Sequence, residues 1–360
     1  MYPLNSWYVA AHSGEISNAP VARRLLDQRM VLFRTESGTA VALEDRCIHR
    51  LLPLSRGCVV GERLQCGYHG AEFDAAGRCV AVPGQAEIPP RAQVRSYPVQ
   101  ERHGFLWTWM GEQAPAPAEG PPRLFDYIDE PGWDVIDGYL HIGSNYLLAN
   151  DNLADISHTE FVHASTLGAR YVRATRQDGV PVEQQGQVTF ESELVDGGMD
   201  FRFRANRTAI APTFENGFAR VHGTDGWSTL DFQLDFLFRP PGLWIFRPTT
   251  MRSGTSLAEG LRVDGIIALT PESATTCHYF HKTCQNYAPD NRAETAYWHD
   301  QFGRAFVEDK LVLEAQQESI GAGDLADYPH VSFRGDRLGF MVRRMVSDLA
   351  AVERTATEAR

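Results

Sequence analysis

Two short pairs of metal-binding side chains lie in the first fifth of the chain. Cys47 and His49 form the first pair; Cys66 and His69 form the second, after an interval of sixteen residues. Each pair follows a short apolar stretch and precedes loop-like sequence, so we predict two hairpin tips that lie side by side. Glycines around the second pair suit a tight turn, because glycine adopts positive φ without a steric penalty. The spacing therefore predicts one metal centre with four protein ligands.

Two chemistries fit this donor set. A Rieske-type [2Fe–2S] cluster has two cysteine thiolates on one iron and two histidine imidazoles on the other, and zinc also accepts two cysteines and two histidines. Zinc fingers usually group the cysteines and then the histidines, whereas each pair here mixes the two types. The pattern favours the cluster, with Cys47 and Cys66 on one iron and His49 and His69 on the other. The remaining cysteines fit no second site: Cys58, Cys79, Cys277 and Cys284.

A second constellation lies in the segment NYLLANDNLADISHTEFVH, which contains Asn152, Asp155, His158 and His163. On a helix Asp155 and His158, three residues apart, share a face. His158 and His163 are five apart, which places them about 140° apart around an ideal helix. They converge on one ion only if the helix is distorted or ends between them. By default, two such histidines would be interpreted as buried core residues. The nearby carboxylate of Asp155 and the presence of the first metal site favour a second metal site instead.

The long helical pattern from Ala296 to about Ile320 supplies a candidate third ligand. Asp309 falls on its mainly apolar face, whereas Glu308 lies away from the middle of that face. A buried carboxylate must be paired, protonated or metal-bound. Two imidazoles and one carboxylate form the facial triad that holds non-haem Fe(II). The alternative is a core salt bridge to Arg304 or Lys310.

The chain up to about Gly111 has short apolar runs broken by Gly, Pro and Asp, which is typical of a small antiparallel β domain. Gly111–Arg123 is dense in Pro, Ala and Glu and indicates a linker. We therefore predict two domains, 1–115 and 116–360, which carry the first and the second metal site respectively.

The second domain alternates between the two kinds of secondary structure. A helical pattern spans Tyr146–His163, strand-like stretches run from about Val180 to Phe280, and an amphipathic segment covers Leu338 to about Val352. This order predicts an α+β fold in which helices flank a curved antiparallel sheet. The strand region also contains two histidines that could face a cavity and contact substrate, His278 and His281.

Composition excludes several partners. The chain has 34 Lys plus Arg against 46 Asp plus Glu, and a formal net charge of −12 disfavours nonspecific binding to nucleic acid. The first residues do not combine a basic region with a long apolar run, and no run of eighteen apolar residues occurs, so we expect a cytoplasmic protein without a membrane span. No G-x-G-x-x-G follows a strand, which points to electrons from a separate protein.

The motifs CIHRLLPLSRG, LQCGYHGAEFD, NYLLANDNLADISHTEFVH and FVEDKLVLEA resemble the Rieske non-haem iron oxygenases, specifically the vanillate and dicamba O-demethylase group. The resemblance runs along almost the whole chain and is weakest between Arg170 and Ala211. It implies a helix-grip-like catalytic domain with Asp309 as the third iron ligand. It also implies that Asn152 lies near the iron without being a firm ligand. Asp155 would link His69 of one chain to His158 of the next in a homotrimer.

The resemblance implies a terminal oxygenase that uses O₂ and electrons from NAD(P)H, delivered by a ferredoxin or flavin reductase component. The expected substrate is a small aromatic compound. The reaction expected in the first place is O-demethylation of a methoxy-aromatic acid. Methyl or ring hydroxylation and aryl-ether cleavage are alternatives. A non-catalytic Rieske electron carrier with a ligand-binding domain is the alternative from another class. A docking patch for an acidic partner, or merely a solvated rim, is formed by four arginines: Arg46, Arg50, Arg56 and Arg63.

Overall fold

The computed structural model describes residues 2–112, 115, 120–168, 187–208, 210–224 and 229–358. Contacts divide the chain into two compact units. Unit 1 comprises Met1–Phe125, Thr270–Ala274 and Ala350–Arg360, and unit 2 comprises Asp126–Leu269 and Thr275–Leu349. Parts of the predicted linker and of the poorly matching stretch from Arg170 onwards lie outside the described residues. The boundary at residue 115 stays a prediction.

Unit 1 is built from three small antiparallel sheets, as the all-β prediction requires. Their strand orders are β1-β11-β10, β2-β3-β4-β9 and β5-β6-β7-β8. The strands are β1 Trp7–His12, β2 Val21–Leu25, β3 Gln28–Arg34, β4 Ala40–Glu44, β5 Cys58–Val60, β6 Arg63–Gln65, β7 Glu72–Phe73, β8 Cys79–Ala81, β9 Ser96–Tyr97, β10 Val99–Arg102 and β11 Phe105–Trp109.

An apolar core of unit 1 lies directly beneath the predicted cluster ligands. Phe33, Leu64 and Phe73 come from three different strands and are fully buried in it. Cys47 and Cys66 belong to the same buried group. The cysteines therefore project from a packed base, and such a base holds their side chains in fixed positions.

Unit 2 contains one seven-stranded antiparallel sheet with the order β12-β18-β17-β16-β15-β14-β13. The strands are β12 Asp134–Ile142, β13 Gln187–Val195, β14 Gly198–Thr208, β15 Leu230–Arg239, β16 Leu243–Arg252, β17 Leu261–Ser273 and β18 Thr276–Gln285. Residues of alternating parity face opposite sides of such a sheet. One face is apolar where Phe203, Phe232 and Phe246 point, and the other is charged, with Arg202 paired to Asp235.

Five helices lie in the part of the chain that the structure describes: α1 Tyr146–Ala154, α2 Thr159–Val162, α3 Pro212–His222, α4 Arg292–Ile320 and α5 Arg337–Glu358. The predicted α+β class is confirmed, and α4 and α5 lie where helices were predicted. Helix α3 was not predicted, although proline at its first turn is a common helix start. None of the described helices combines the length and apolar character that crossing a membrane requires.

Helix α4 packs on the apolar face of the sheet through its aromatic side chains. The Phe302 ring lies 5.0 Å from the Phe246 ring, and the Phe306 ring lies 5.2 Å from the Tyr279 ring. Ring separations of this size are typical of favourable aromatic pairs. The sheet therefore fixes the rotation of α4 about its axis, and with it the direction in which Asp309 points.

Candidate metal centres and active site

The two cysteine-containing loops, residues 47–52 and 66–71, share one backbone structure; we call them the cluster loops. In each, the cysteine N–H donates to the carbonyl five residues later at 2.8 Å. The N–H four residues after each cysteine returns a bond of 3.0 Å to the cysteine carbonyl. That residue has positive φ in both loops, Leu51 at 60° and Gly70 at 70°. Only the second loop is a hairpin tip, between β6 and β7; the first connects two different sheets, so the prediction of two hairpin tips is half wrong.

The donor side chains of the cluster loops are arranged in two layers. The Cys47 and Cys66 thiols are buried, whereas the imidazoles of His49 and His69 are exposed, with their Nδ1 atoms 3.2 Å apart. Burial raises the pKa of the Cys47 thiol, and the neighbouring Cys66 raises it further. Desolvation lowers the pKa of His69, helped by His49 and Arg50. A neutral imidazole is the form that binds metal.

Glycine is required at position 67 by close packing rather than by its φ angle. A Cβ atom there would lie 2.6 Å from the backbone oxygen of Arg56. The second cluster loop therefore approaches a neighbouring backbone more closely than any side chain permits. At Gly70 the requirement is the positive φ that the sequence predicted.

The spread of donor atoms distinguishes between one ion and a cluster. Among the described residues, one set of at least three donor atoms lies within 4.8 Å of one another, and it consists of His158, His163 and Asp309. The four donors of the cluster loops are therefore spread more widely than the ligands of one ion. Ligands divided between two irons need such a spread, so these side chains fit a [2Fe–2S] cluster better than zinc.

The second constellation lies where the predicted helix breaks. Helix α1 ends at Ala154, Asp155 has extended backbone angles, and a single 3₁₀ turn leads to the four-residue α2. His158 immediately precedes α2 and His163 immediately follows it. The break provides the distortion that the spacing of the two histidines requires for them to converge. The expectation that Asp155 and His158 share a helix face is wrong, because Asp155 is not helical.

The break brings three donor atoms together. His158 Nε2 lies 3.2 Å from His163 Nε2, and these nitrogens lie 3.4 and 3.2 Å from Asp309 Oδ1. Donors at about 2.1 Å from one ion and at roughly right angles are separated by about 3 Å, so the triad fits one metal ion. Asp309 pairs with neither Arg304 nor Lys310, the alternative partners; Lys310 instead pairs with Glu314.

The carboxylate of Asp309 stays ionised in this setting. Burial raises its pKa, but hydrogen bonds and charges from His158 and His163 outweigh burial and bring the pKa down to about 2. The Asn152 amide also donates to Asp309 Oδ1 at 3.0 Å. Asn152 thus lies beside the triad, at the place that the resemblance implied.

Glu308, which was expected to lie away from the middle of the apolar face, is a further functional candidate. It accepts three hydrogen bonds, from His163 Nδ1 at 2.9 Å, from the Ser165 hydroxyl at 2.8 Å and from the Thr166 hydroxyl at 2.5 Å. Burial lowers the pKa of His163, but Asp309 and Glu308 together raise it above the ordinary value. The sequence does contain a signal for Glu308. It follows the buried Ala305 by three residues, which places it at the border of the apolar helix face.

Asp155 lies close to the triad, but its described hydrogen bond is not with a residue of the triad. Its carboxylate accepts from the Ser157 N–H at 2.8 Å. A Cβ on Gly335 would lie 2.8 Å from the same carboxylate, so the C-terminal segment covers one side of it closely. The predicted link from Asp155 to two histidines of different chains stays a prediction.

A cavity of about 920 Å³, part of it open to solvent, contains the triad at one end. The polar lining groups come from residues 152–163 and from Asp309, whereas the opposite wall comes from β14–β16, α3 and α4. That wall includes seven phenylalanines, Phe203, Phe214, Phe232, Phe236, Phe246, Phe302 and Phe306.

A second, more open groove shares Asn152, Asp155 and His158 with this cavity. Its other residues come from α1, α4 and the segment 325–343. Three of its apolar side chains are exposed, Val331 at 80%, Phe333 at 79% and Phe340 at 50%. The residues between the two spaces are therefore accessible from two directions.

Other predicted site residues lie apart from the cavity. His278 and His281 are buried on opposite faces of β18, and neither lines the cavity described above. His278 pairs with the Tyr139 hydroxyl at 2.8 Å, and His281 stacks on His299. The substrate-contact role considered for them finds no support in this placement.

Comparison with known proteins gives two matching family profiles. Residues 6–98 match the Rieske [2Fe-2S] domain, and residues 142–352 match the vanillate O-demethylase oxygenase C-terminal domain. The two matches cover both metal sites. The chain belongs to the Rieske non-haem iron oxygenase family.

Curated relatives agree with this assignment. A putative toluene-4-sulfonate monooxygenase system iron–sulfur subunit from Comamonas testosteroni is 36% identical over 93% of both chains. The vanillate O-demethylase oxygenase subunit of a Pseudomonas species is 31% identical over 100% of this chain and 98% of its own. The dicamba O-demethylase oxygenase component of Stenotrophomonas maltophilia is 32% identical over 86% of this chain and 87% of its own.

A solved structure extends the agreement to three dimensions. Dicamba monooxygenase bound to dicamba superposes with a TM-score of 0.85 at 28% identity, over 98% of this chain and 99% of that one. The predicted family, fold class and enzyme class are confirmed. This Rieske oxygenase is a terminal oxygenase component, and its N-terminal Rieske domain is of the type that carries a [2Fe–2S] cluster.

Proposed function

We propose that this Rieske oxygenase inserts one oxygen atom of O₂ into a small aromatic substrate, at an iron held by His158, His163 and Asp309. The observation that carries the proposal is the position of this triad at the end of a cavity lined with phenylalanines. When bound by two histidines and a carboxylate, Fe(II) supplies open positions at which O₂ is activated. The protein contributes the orientation of the ligands and a largely apolar space for the substrate.

We propose O-demethylation as the reaction, in accordance with the relatives named as O-demethylases. The balanced change is R–O–CH₃ + O₂ + 2e⁻ + 2H⁺ → R–OH + CH₂O + H₂O. A methyl C–H bond is hydroxylated to a hemiacetal, whose C–O bond then breaks to release the phenol and formaldehyde. Hydroxylation of a methyl group or ring uses the same electrons and oxygen, and substrate shape in the cavity decides between the reactions.

The two electrons would come from NAD(P)H through a separate reductase component, because no G-x-G-x-x-G motif follows a strand in this sequence. Several relatives are named as oxygenase components or as subunits of a monooxygenase system. The reductase would dock near the cluster loops, where Arg50 and Arg56 are exposed and Arg46 and Arg63 pair with Glu44 and Glu72. The cluster would be held by Cys47, His49, Cys66 and His69.

We also propose that the protein works as a homotrimer in which the cluster loops of one subunit face the open groove of the next. Both surfaces carry exposed apolar side chains, Leu51 at 62% and Tyr68 at 55% beside the cluster, and Phe333 beside the groove. Two different surfaces that bind head to tail close into a ring if the rotation permits. In this ring Asp155 would accept hydrogen bonds from His158 and from His69 of the neighbouring subunit.

The reaction is tested with the reconstituted enzyme, a compatible reductase, NADH and methoxy-aromatic compounds, by measurement of formaldehyde and product mass. Stoichiometric phenol and formaldehyde are expected, and Asp309→Ala should abolish both while the cluster EPR signal persists. A protein whose cluster is reduced by the reductase, but which oxidises no compound and loses no iron on Asp309→Ala, would be an electron carrier.

The ring is tested by subunit mixing. His69→Ala and Asp309→Ala are each expected to be inactive, the first without a functional cluster and the second without its iron ligand. Mixed trimers should recover activity, because the intact cluster of one subunit then faces the intact iron site of another. Absence of recovery in verified mixed assemblies would contradict the arrangement, and a monomeric mass in light scattering would contradict the trimer.

A further inference from the structure

We infer that the substrate of this enzyme is an uncharged aromatic compound, and not an aromatic acid. The inference rests on the proposed function and names its substrate class. It differs from the methoxy-aromatic acid expected from the resemblance, and two relatives are themselves named for anionic substrates, vanillate and toluene-4-sulfonate.

Several polar groups of the described lining already have hydrogen-bond partners. Asn152 donates to Asp309, and the Thr159 hydroxyl donates to the Ile156 carbonyl at 2.8 Å. His163 Nδ1 donates to Glu308, which leaves its Nε2 directed at the triad. These hydrogen bonds engage the Thr159 hydroxyl, His163 Nδ1 and one of the two Asn152 N–H groups, so few donors of the described lining remain for a substrate carboxylate.

Away from the proposed iron, the described lining offers an anion no cationic partner. The iron would offset the charge of Asp309, but among the lining residues that the structure describes there is no lysine and no arginine, and Asp155 is a further carboxylate. Residues 169–186 lie outside that described lining. A carboxylate transferred from water to an apolar wall is strongly disfavoured unless a cation or several hydrogen bonds receive it. The apolar wall of the cavity presents phenyl rings, which provide neither a cation nor hydrogen bonds of this kind.

The dimensions of the cavity suit one substituted ring. Along α4, Asp309, Phe306, Ala305 and Phe302 all line it. Seven residues of helix span about 10 Å, which matches a benzene ring with one substituent at each end. Ala305 leaves the space in the middle of this row, and the surrounding phenyl rings can hold a ring by edge or face contacts. The reacting substituent would lie at the Asp309 end, and an apolar one at the Phe302 end.

Matched substrate pairs test the inference. Vanillate is compared with 2-methoxy-4-methylphenol, and 4-methoxybenzoate with 4-methoxytoluene, so that within each pair a methyl group replaces the carboxylate. The reconstituted enzyme is assayed for kcat/KM with the reductase, and binding is measured separately by equilibrium dialysis. The neutral member should have at least tenfold higher kcat/KM and tenfold tighter binding. Equal or better performance of the acids would overturn the inference.

The two measurements separate this inference from the proposed function. If the acids are oxidised efficiently, the proposed function holds and the inference fails. If no compound is oxidised with both metal sites loaded, the proposed function fails, and dialysis still decides whether neutral or anionic rings bind. Leu234→Arg places a cation in the apolar wall and should shift the preference towards the acids by at least tenfold. Leu194→Arg, on an exposed position of β13 outside the lining, is the matched control.

Discussion

Substitution of Glu308 should weaken iron binding although Glu308 is not among the proposed ligands. Its carboxylate receives the Nδ1 proton of His163 and the hydroxyl protons of Ser165 and Thr166. The first bond fixes the His163 tautomer, so that Nε2 presents a lone pair to the metal. The other two bonds hold the carboxylate in position. Glu308→Ala removes the acceptor for all three, whereas Glu308→Gln keeps one acceptor and presents an amide N–H₂ to a donor.

The size of the effect follows from these contacts. Loss of a partner that orients a histidine ligand typically lowers metal affinity 10- to 100-fold, or about 1.4 to 2.7 kcal/mol. Glu308→Ala should reach the upper part of this range, because the His163 ring loses its one described hydrogen-bond partner on the Nδ1 side. Glu308→Gln should lose roughly tenfold, since its amide oxygen can still accept from Nδ1 but carries no charge.

Metal-free protein titrated with Fe(II) against a chelator measures the dissociation constant, and the EPR spectrum of the Fe(II)–nitrosyl complex reports the ligand geometry. Glu318→Gln, at an exposed position of the same helix, is the control and should change neither. The cluster absorption should be unaffected in all variants. An Fe(II) affinity of Glu308→Ala within twofold of the wild type would refute the argument.

Three further predictions follow from single contacts. Arg343→Leu leaves the partly buried carboxylate of Asp151, which Arg343 binds at 2.6 to 2.9 Å, without its cation, and should destabilise unit 2 by about 2 kcal/mol in urea denaturation. Gly67→Ala should reduce [2Fe–2S] absorption by most of its amplitude, since the added Cβ meets a backbone oxygen at 2.6 Å. Because the pKa of His163 is raised and metal binding must displace its proton, Fe(II) affinity should increase as pH rises through that pKa, and a flat profile from pH 6 to 8 would contradict this.

Much of the architecture could be predicted, and both candidate ligand sets could be proposed, because they rest on short-range rules. Asp309 was identifiable because a carboxylate on an apolar helix face is costly unless something binds it. Cys47, His49, Cys66 and His69 were identifiable because their spacing is unusual for zinc and usual for one cluster type. In each case the informative signal lay within a few residues along the chain.

What could not be predicted depends on contacts between distant segments. Glu308 binds Ser165 and Thr166, which lie more than 140 residues earlier, so its position at the border of the apolar helix face does not by itself reveal these contacts. Leu51 adopts positive φ where the second cluster loop has glycine, because the loop geometry outweighs the local preference of leucine. The break at Asp155 follows from its capping of the next turn through Ser157, which competes with helix continuation.

The residues shared by the cavity and the groove have a consequence for how new specificities arise in this protein. Asn152, Asp155 and His158 face both spaces, so any change to them alters substrate contacts and the outer surface together. The described lining of the groove, by contrast, contains none of the sheet phenylalanines that line the cavity, Phe203, Phe232, Phe236 and Phe246. Substitutions at positions such as Phe232 or Phe246 can reshape the cavity without changing the three residues that line both the cavity and the groove. Laboratory evolution towards other substrates should therefore accumulate changes on the sheet and leave the α1–α2 turn untouched.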